Sequence, residues 1–268
     1  TLAGGMAAFY NQVKIGHVEA GLRTWNIRSP FPEEANRQMV DCITDFYFAP
    51  TQKSKENLLK EGKDESKIFV TGNSAIDALK TTISRDYKNE IFNWLGEDKL
   101  ILLTAHRREN LGEPMRHMFR AIRRVLDENE GYKVIYPVHL NPLVRQVADE
   151  VFENDNKIKL IEPLEVIDFH NFLNRAHIIL TDSGGIQEEA PSLGKPVLVL
   201  RNTTERPEGI EAGILKLATT NEEKIYTLLT ELIQNKDEYN KMAKASNPYG
   251  DGTTSKQIAD IIIEQLKK

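Results

Sequence analysis

The 268-residue sequence predicts an α/β protein built on parallel sheets. Three observations carry this. Short apolar runs alternate with stretches of helical periodicity along almost the whole chain. The runs are continuous rather than alternating, as strands covered on both faces require. Several break on small, hydroxyl-bearing or charged residues, as in HIILTDSGG and LILLTAHRR, where ligand loops of such sheets are made.

Taken in order, TLAGGMAAFYNQ (1–12) reads as helix, with no initiator Met and no strand before it, so the sequence is expected to begin partway through a domain. Strands are expected over KIGHVEA (14–20), DFYFAP (45–50), KIFVTG (67–72), LILLTA (100–105) and KVIYPV (133–138). Further strands are expected over IKLIEP (158–163), HIILTD (177–182), PVLVLR (196–201) and ILKLAT (214–219). Helical spacing follows most of them, as in MFRAIRRVL (118–126) and EKIYTLLTELI (223–233). ISRDYKNEIFNWLGEDK (83–99) is charged and lacks a strand, which places a domain junction there. The expected division is the tail of a first α/β domain over 1–82, a nearly complete second one over 83–245, and a closing segment over 246–268. That segment opens on the turn-rich SNPYGDG and continues as an amphipathic helix behind good capping residues.

Composition excludes some functions. With a net charge of −5 and 28% charged residues, nucleic acid is not an expected partner, and any anion must be held by local cations and amides. No apolar stretch approaches the ~20 residues of a bilayer span, and no signal peptide is visible. The single cysteine, Cys42, lies among apolar helix residues and is expected to be buried. A cytoplasmic location is the expectation.

HIILTDSGGIQEEA (177–190) ends a strand on Ser183, Gly184 and Gly185 and then starts a helix. Unpaired amides and the helix dipole make that junction a phosphate seat, with the Ser183 hydroxyl as a further donor. Glu188 and Glu189 face different ways, and Glu189 is the candidate for ribose hydroxyls. The alternative is that Ser183 caps the helix and the glutamates complement its dipole. RNTTERPEG (201–209) follows the next strand, and Arg201 or Arg206 is placed to meet a phosphate, against the alternative of a solvated loop. AHRREN (105–110) puts His106 on the same edge. The basic face that follows, with Arg116, Arg120, Arg123 and Arg124, reads as solvated.

GHVEAGLRT (16–24) ends a strand with Glu19 beside Gly21, where a carboxylate has no evident structural purpose. SPFPEEANRQMVDCI (29–43) begins a helix with Pro32 and Glu33, and Glu33 stands four residues before Arg37, the spacing of a surface ion pair. Two carboxylates acting with a phosphate seat describe acid/base chemistry on a nucleotide-linked substrate. There is no GxGxxG, P-loop or GxSxG motif, and no trustworthy metal-ligand spacing.

The blocks GHVEAGLRT, SPFPEEANR, FVTGN, LLTAHRREN, YPVHLNP, DSGGIQEEAPSLGKPVLVLRNTTERPEG and NPYGDG together resemble the bacterial non-hydrolysing UDP-N-acetylglucosamine 2-epimerases, from the first residues to the last. The resemblance implies a GT-B fold: two Rossmann-like domains, the first truncated, with UDP-sugar in the cleft between them and the last helix packed back on the first domain. It implies reversible inversion of C2, converting UDP-GlcNAc to UDP-ManNAc through loss of UDP to 2-acetamidoglucal and re-addition, for cell-surface polysaccharide. Glu19 and Glu33 become acid/base candidates. His106, Arg206 and Ser183 with the Gly184 and Gly185 amides become diphosphate contacts, and Glu189 the ribose contact. No cofactor or metal is implied. A second UDP-GlcNAc as allosteric activator, contacting Arg107 and His139 with Glu33 and Arg37 nearby, and a homodimer are implied too. The family's first ~100 residues, about two-thirds of an ordinary domain, are not in this sequence. They carry a phosphate loop and a further aspartate, so the 268 residues alone are expected to be inactive or unstable. A hydrolysing relative, a GT-B glycosyltransferase and a UDP-sugar-binding module without catalysis are the alternatives.

Overall fold

A computed structural model describes residues 1–153 and 155–267. The chain divides into two compact units. Unit 1 comprises Thr1–Lys80, Thr204–Glu208 and Asn247–Lys268, and unit 2 comprises Thr81–Thr203 and Gly209–Ser246.

The elements of the first stretch are α1 (Leu2–Tyr10), β1 (Gly16–Val18), α2 (Glu33–Asp41), β2 (Phe46–Ala49), α3 (Gln52–Lys60), β3 (Ile68–Val70) and α4 (Ser74–Thr82). Strands β1, β2 and β3 form a parallel sheet in that order. Its buried cluster is small: Ala20, Tyr47, Ala49, Leu58 and Ile68. Gly21 closes the turn after β1 at φ +86°, and a Cβ there would lie 2.2 Å from the Ser54 carbonyl oxygen, so only glycine fits.

Unit 2 continues with α5 (Ile91–Leu95), β4 (Lys99–Thr104), α6 (Glu113–Glu128), β5 (Tyr132–Pro137), α7 (Pro142–Phe152), β6 (Ile158–Ile161), α8 (Val166–Arg175) and β7 (Ile178–Thr181). Then come α9 (Ile186–Ser192), β8 (Val197–Val199), the one-turn α10 (Pro207–Glu211), β9 (Leu215–Leu217), α11 (Glu222–Gln234), α12 (Lys236–Lys244) and, back in unit 1, α13 (Thr254–Gln265). The sheet is wholly parallel, in the order β6-β5-β4-β7-β8-β9. Two neighbours of β4 therefore run on to opposite edges, the doubly wound order whose switch point falls between β4 and β7. Loops leaving those two strands splay apart and open a crevice at their carboxyl ends. Every residue of β4 after Lys99, and all of β7, is buried, as the unbroken apolar runs require. On α6 the apolar stripe Met115, Met118, Phe119, Ile122, Val125 and Leu126 is fully buried. Arg116 on the outer face pairs with Glu150 at 2.7 Å and Arg124 with Glu223 at 2.8 Å, so these arginines serve surface pairs.

Two expectations are corrected. Cys42 is exposed: α2 buries Val40 and Asp41, and Cys42 follows them as the C-cap of the helix, outside its buried face. Glu33 and Arg37 form no ion pair among the described residues; Arg37 instead stands 3.7 Å from both Glu34 and Glu205. Among the described residues no helix is long and apolar enough to cross a membrane.

Candidate active site

The residues singled out from the sequence divide between the units. His106, Arg107, His139, Ser183, Gly184, Gly185 and Glu189 lie on unit 2; Glu19, Glu33, Arg37 and Arg206 lie on unit 1.

On unit 2 the loops after β4 and β7 meet at the switch point. Thr104 and Thr181 are register partners at the last rung of β4 and β7, and their hydroxyls meet at 2.6 Å. One residue further, the fully buried Asp182 turns its Oδ2 toward the β4 loop. It accepts from the His106 amide at 2.9 Å, the Arg107 amide at 2.8 Å and Asn110 Nδ2 at 3.0 Å. Arg107 Nε donates to the Asp182 carbonyl at 3.1 Å, and Asn110 Nδ2 also reaches the Leu200 carbonyl. A buried carboxylate is tolerated only when donors surround it, and here the donors are the backbone of the loop that carries His106. Asp182 thus fixes His106 against the Ser183 turn.

His106 stacks nearly parallel on His139, with ring centroids 5.1 Å apart. Desolvation lowers its pKa below the ordinary histidine value. Asp182 opposes that shift, and His139 and Arg107 reinforce it. The ring is therefore neutral near pH 7, a hydrogen-bonding group rather than a fixed cation.

Ser183 does not cap α9: the N-cap is Gly185, without a side-chain bond. Ser183 donates its amide to Thr181 Oγ1 at 2.9 Å, and its hydroxyl has no partner among the described residues. Nor do the amides of Gly184, Gly185 and Ile186, the orphan donors of a helix start. Of the paired glutamates, Glu188 is fully buried, whereas Glu189 is partly exposed. Its Oε1 would lie 3.5 Å from a Cβ on Gly185, and its Oε2 stands 3.8 Å from Nε2 of the buried His170.

On unit 1, Glu19 and Glu33 line one cavity of about 250 Å³ together with His17, Asn36 and Arg37. Glu19 sits at φ +63°, a left-handed conformation that costs a non-glycine residue on the order of 1 kcal/mol and gathers at functional sites. The two glutamates of FPEE do different work. Glu34 is fully buried and accepts from the Thr24 and Trp25 amides at 3.1 Å and from Gln38 at 3.0 Å, while Glu33 is exposed to the cavity.

Beneath the cavity runs a buried polar network absent from the sequence reading. Asp41 holds His17 Nδ1 through one oxygen and Arg23 Nη2 through the other, both at 2.5 Å, and Arg23 bonds Glu61 at 2.6 and 2.8 Å. Pairing with both acids raises the Arg23 pKa against the cost of burial. Nothing in the sequence pattern signalled it: His17 lies inside β1, whereas Glu19 follows the strand in a left-handed conformation, so strand alternation does not link them.

Arg206 and Arg201 are each 3% exposed, so the solvated-loop alternative fails for both. Arg206 Nη1 contacts Glu205 at 2.5 Å, and Arg206 clusters with unit 1. Among the described residues no group of three His, Cys, Asp or Glu is arranged to hold a metal ion.

The sequence model of the UDP-N-acetylglucosamine 2-epimerase family matches residues 1–263. The chain is similar to the UDP-N-acetylglucosamine 2-epimerase of Bacillus subtilis strain 168, 63% identical over 98% of this chain and 69% of that protein. Among solved structures, MnaA of S. aureus with UDP superposes at a TM-score of 0.98, with 54% identity over 100% of this chain and 73% of that one. The UDP-GlcNAc 2-epimerase of Neisseria meningitidis bound to UDP-GlcNAc superposes at 0.92, with 44% identity over 98% of this chain and 73% of that one.

Proposed function

The chain belongs to the UDP-N-acetylglucosamine 2-epimerase family, and on that premise we propose that it serves the non-hydrolysing, reversible interconversion of UDP-GlcNAc and UDP-ManNAc. The observation that carries the reading is the cavity that gathers Glu19 and Glu33, two carboxylates free of salt-bridge partners among the described residues. An inversion at carbon needs proton transfer on two faces, and two independently mounted carboxylates suit it.

One carboxylate removes the C2 proton while the C1–O bond breaks, and its electron pair leaves with UDP. The C–H pair becomes the C1=C2 bond of 2-acetamidoglucal. A protonated carboxyl then returns a proton to C2 from the opposite face as a UDP oxygen rejoins C1, so nothing is oxidised or reduced. Charge grows on the departing diphosphate, where on unit 2 the Ser183 hydroxyl, the Gly184, Gly185 and Ile186 amides and neutral His106 supply donors. Glu189 takes the ribose hydroxyls. Arg107 and His139 bind a second UDP-GlcNAc as activator, the protein acts as a homodimer, and the UDP-ManNAc product supplies polysaccharide synthesis.

The test, run on the chain joined to the family's N-terminal residues that this sequence lacks, is solvent deuterium at C2, followed by NMR of the two anomeric signals. Deuterium is expected to enter both sugars at equal final ratio with no free UDP accumulating. UDP released in step with sugar loss would mark a hydrolase, and UDP binding without any exchange would mark a binding module. Glu19→Gln is expected to lower exchange by at least ~10²-fold, the scale of a lost general acid or base, with UDP affinity unchanged.

A further inference from the structure

The block FVTGN drew attention in the sequence and has found no place in the chemistry. Its last residue, Asn73, is 2% exposed, and Nδ2 of its side chain donates to Glu19 Oε1 across 54 residues of sequence. The amide cannot be turned the other way. Its Oδ1 accepts from the Ala75 amide at 2.9 Å at the start of α4, which leaves only the NH₂ end for the carboxylate.

Asn73 is itself fixed from behind. Its amide donates to the Tyr249 carbonyl at 2.7 Å. Gly72, at φ +85°, lies so close to the C-terminal segment that a Cβ would meet Thr254 Oγ1 at 2.7 Å and the Tyr249 carbonyl oxygen at 3.0 Å. Thr254, fully buried, donates to the Thr71 carbonyl at 2.8 Å, and Asp77 of α4 accepts from the Thr254 and Ser255 amides at 3.1 and 2.6 Å. A carboxylate on a left-handed residue is thereby held by a donor with no freedom to drift.

We propose that Asn73 is a positioning residue for Glu19, aiming one carboxylate oxygen into the cavity by occupying the other. The proposal rests on the epimerase reading, in which Glu19 exchanges the C2 proton. The competing role is structural: Asn73 caps α4 and nothing more. Two substitutions separate the roles, because aspartate and serine cap a helix about as well as asparagine yet neither reproduces the amide donor. Asn73→Asp sets a carboxylate against Glu19, and Asn73→Ser leaves Glu19 unheld.

Steady-state C2 exchange, UDP titration calorimetry and thermal unfolding are measured on the chain joined to the family's N-terminal residues that this sequence lacks, without substitution (the unmodified protein) and as both variants. In each variant kcat is expected to fall about 10²-fold, as misplacement of a reacting group by about 1 Å does. KM and the UDP dissociation constant are expected to stay within about twofold and Tm within a few degrees. A kcat within threefold of the unmodified protein in both variants would overturn the assignment and leave the epimerase reading standing. Loss of the fold in both would overturn it in favour of the structural role. No C2 exchange in the unmodified protein would remove the epimerase reading and this assignment with it.

Discussion

Burial decides protonation at several histidines. His177 stacks on Tyr239 with centroids 4.2 Å apart, and desolvation, with Lys99 and Lys195 adding to it, lowers its pKa to about 4. In the unfolded chain the same ring titrates near 6.5. Between those values the unfolded state binds a proton that the folded state refuses. Stability is therefore complete above about pH 6.5 and falls as pH drops toward about 4, levelling below it. His170, itself buried, is shifted in the same direction and adds to the slope. Urea midpoints at pH 7 and pH 4.5 are expected to differ, and His177→Gln is expected to remove on the order of 2 kcal/mol of that difference. A second expectation concerns the fully buried Asp182, whose Oδ2 accepts from three donors. Asp182→Ala strands two backbone amides and should cost roughly 2–4 kcal/mol in the urea midpoint while weakening UDP binding through the displaced His106 loop. Such roles were illegible in the sequence. Asp182 and His106 meet across 76 residues and Asn73 and Glu19 across 54, and one sequence holds no record of which distant polar groups meet. What could be read was local chemistry: the Ser183-Gly184-Gly185 turn, His106 at a strand end, and Glu19 beside Gly21.

At the scale of elements the patterns were more informative. All nine expected strands are present, each stopping short at its carboxyl end while β4 and β5 begin one residue earlier than expected, because an apolar run extends into the turn while ladder bonds stop where the chain bends. Their parallel pairing followed from continuous burial, and the switch point from the order of pairing, which only the structure supplies. Local rules failed where a distant partner competed. The i,i+4 spacing of Glu33 and Arg37 lost to Glu34 and to Glu205, the latter far along the chain. Backbone approaches are likewise set by the fold. The carbonyl of Ser54 in α3 sits where the Cβ of any residue at position 21 would go, and both are main-chain atoms that cannot swing aside. Gly21→Ala is therefore expected to destabilise by at least about 2 kcal/mol, read as a lower urea midpoint with an unchanged m-value.

Across the molecule, stability is unevenly shared. Unit 2 surrounds a six-stranded sheet with a cluster running from Ile101 to Met242, while the three-stranded sheet of unit 1 packs on a smaller set that includes Ala20, Tyr47, Phe48, Leu58 and Ile68. Hydrogen exchange is expected to protect the amides of β4, β5 and β7 most and those of β1 to β3 much less. UDP at 100 times its dissociation constant should add about 2.7 kcal/mol to the protection of unit 2, and a gain confined to unit 1 would contradict the assigned anion seat. Unit 1 is also assembled from three separate stretches of chain, the last beginning at Asn247. A ribosome threading this polypeptide out residue by residue therefore delivers everything unit 2 requires before it delivers the residues that lock the turn behind Glu19. The nascent chain can fold unit 2 early, but unit 1 must wait for the end of translation.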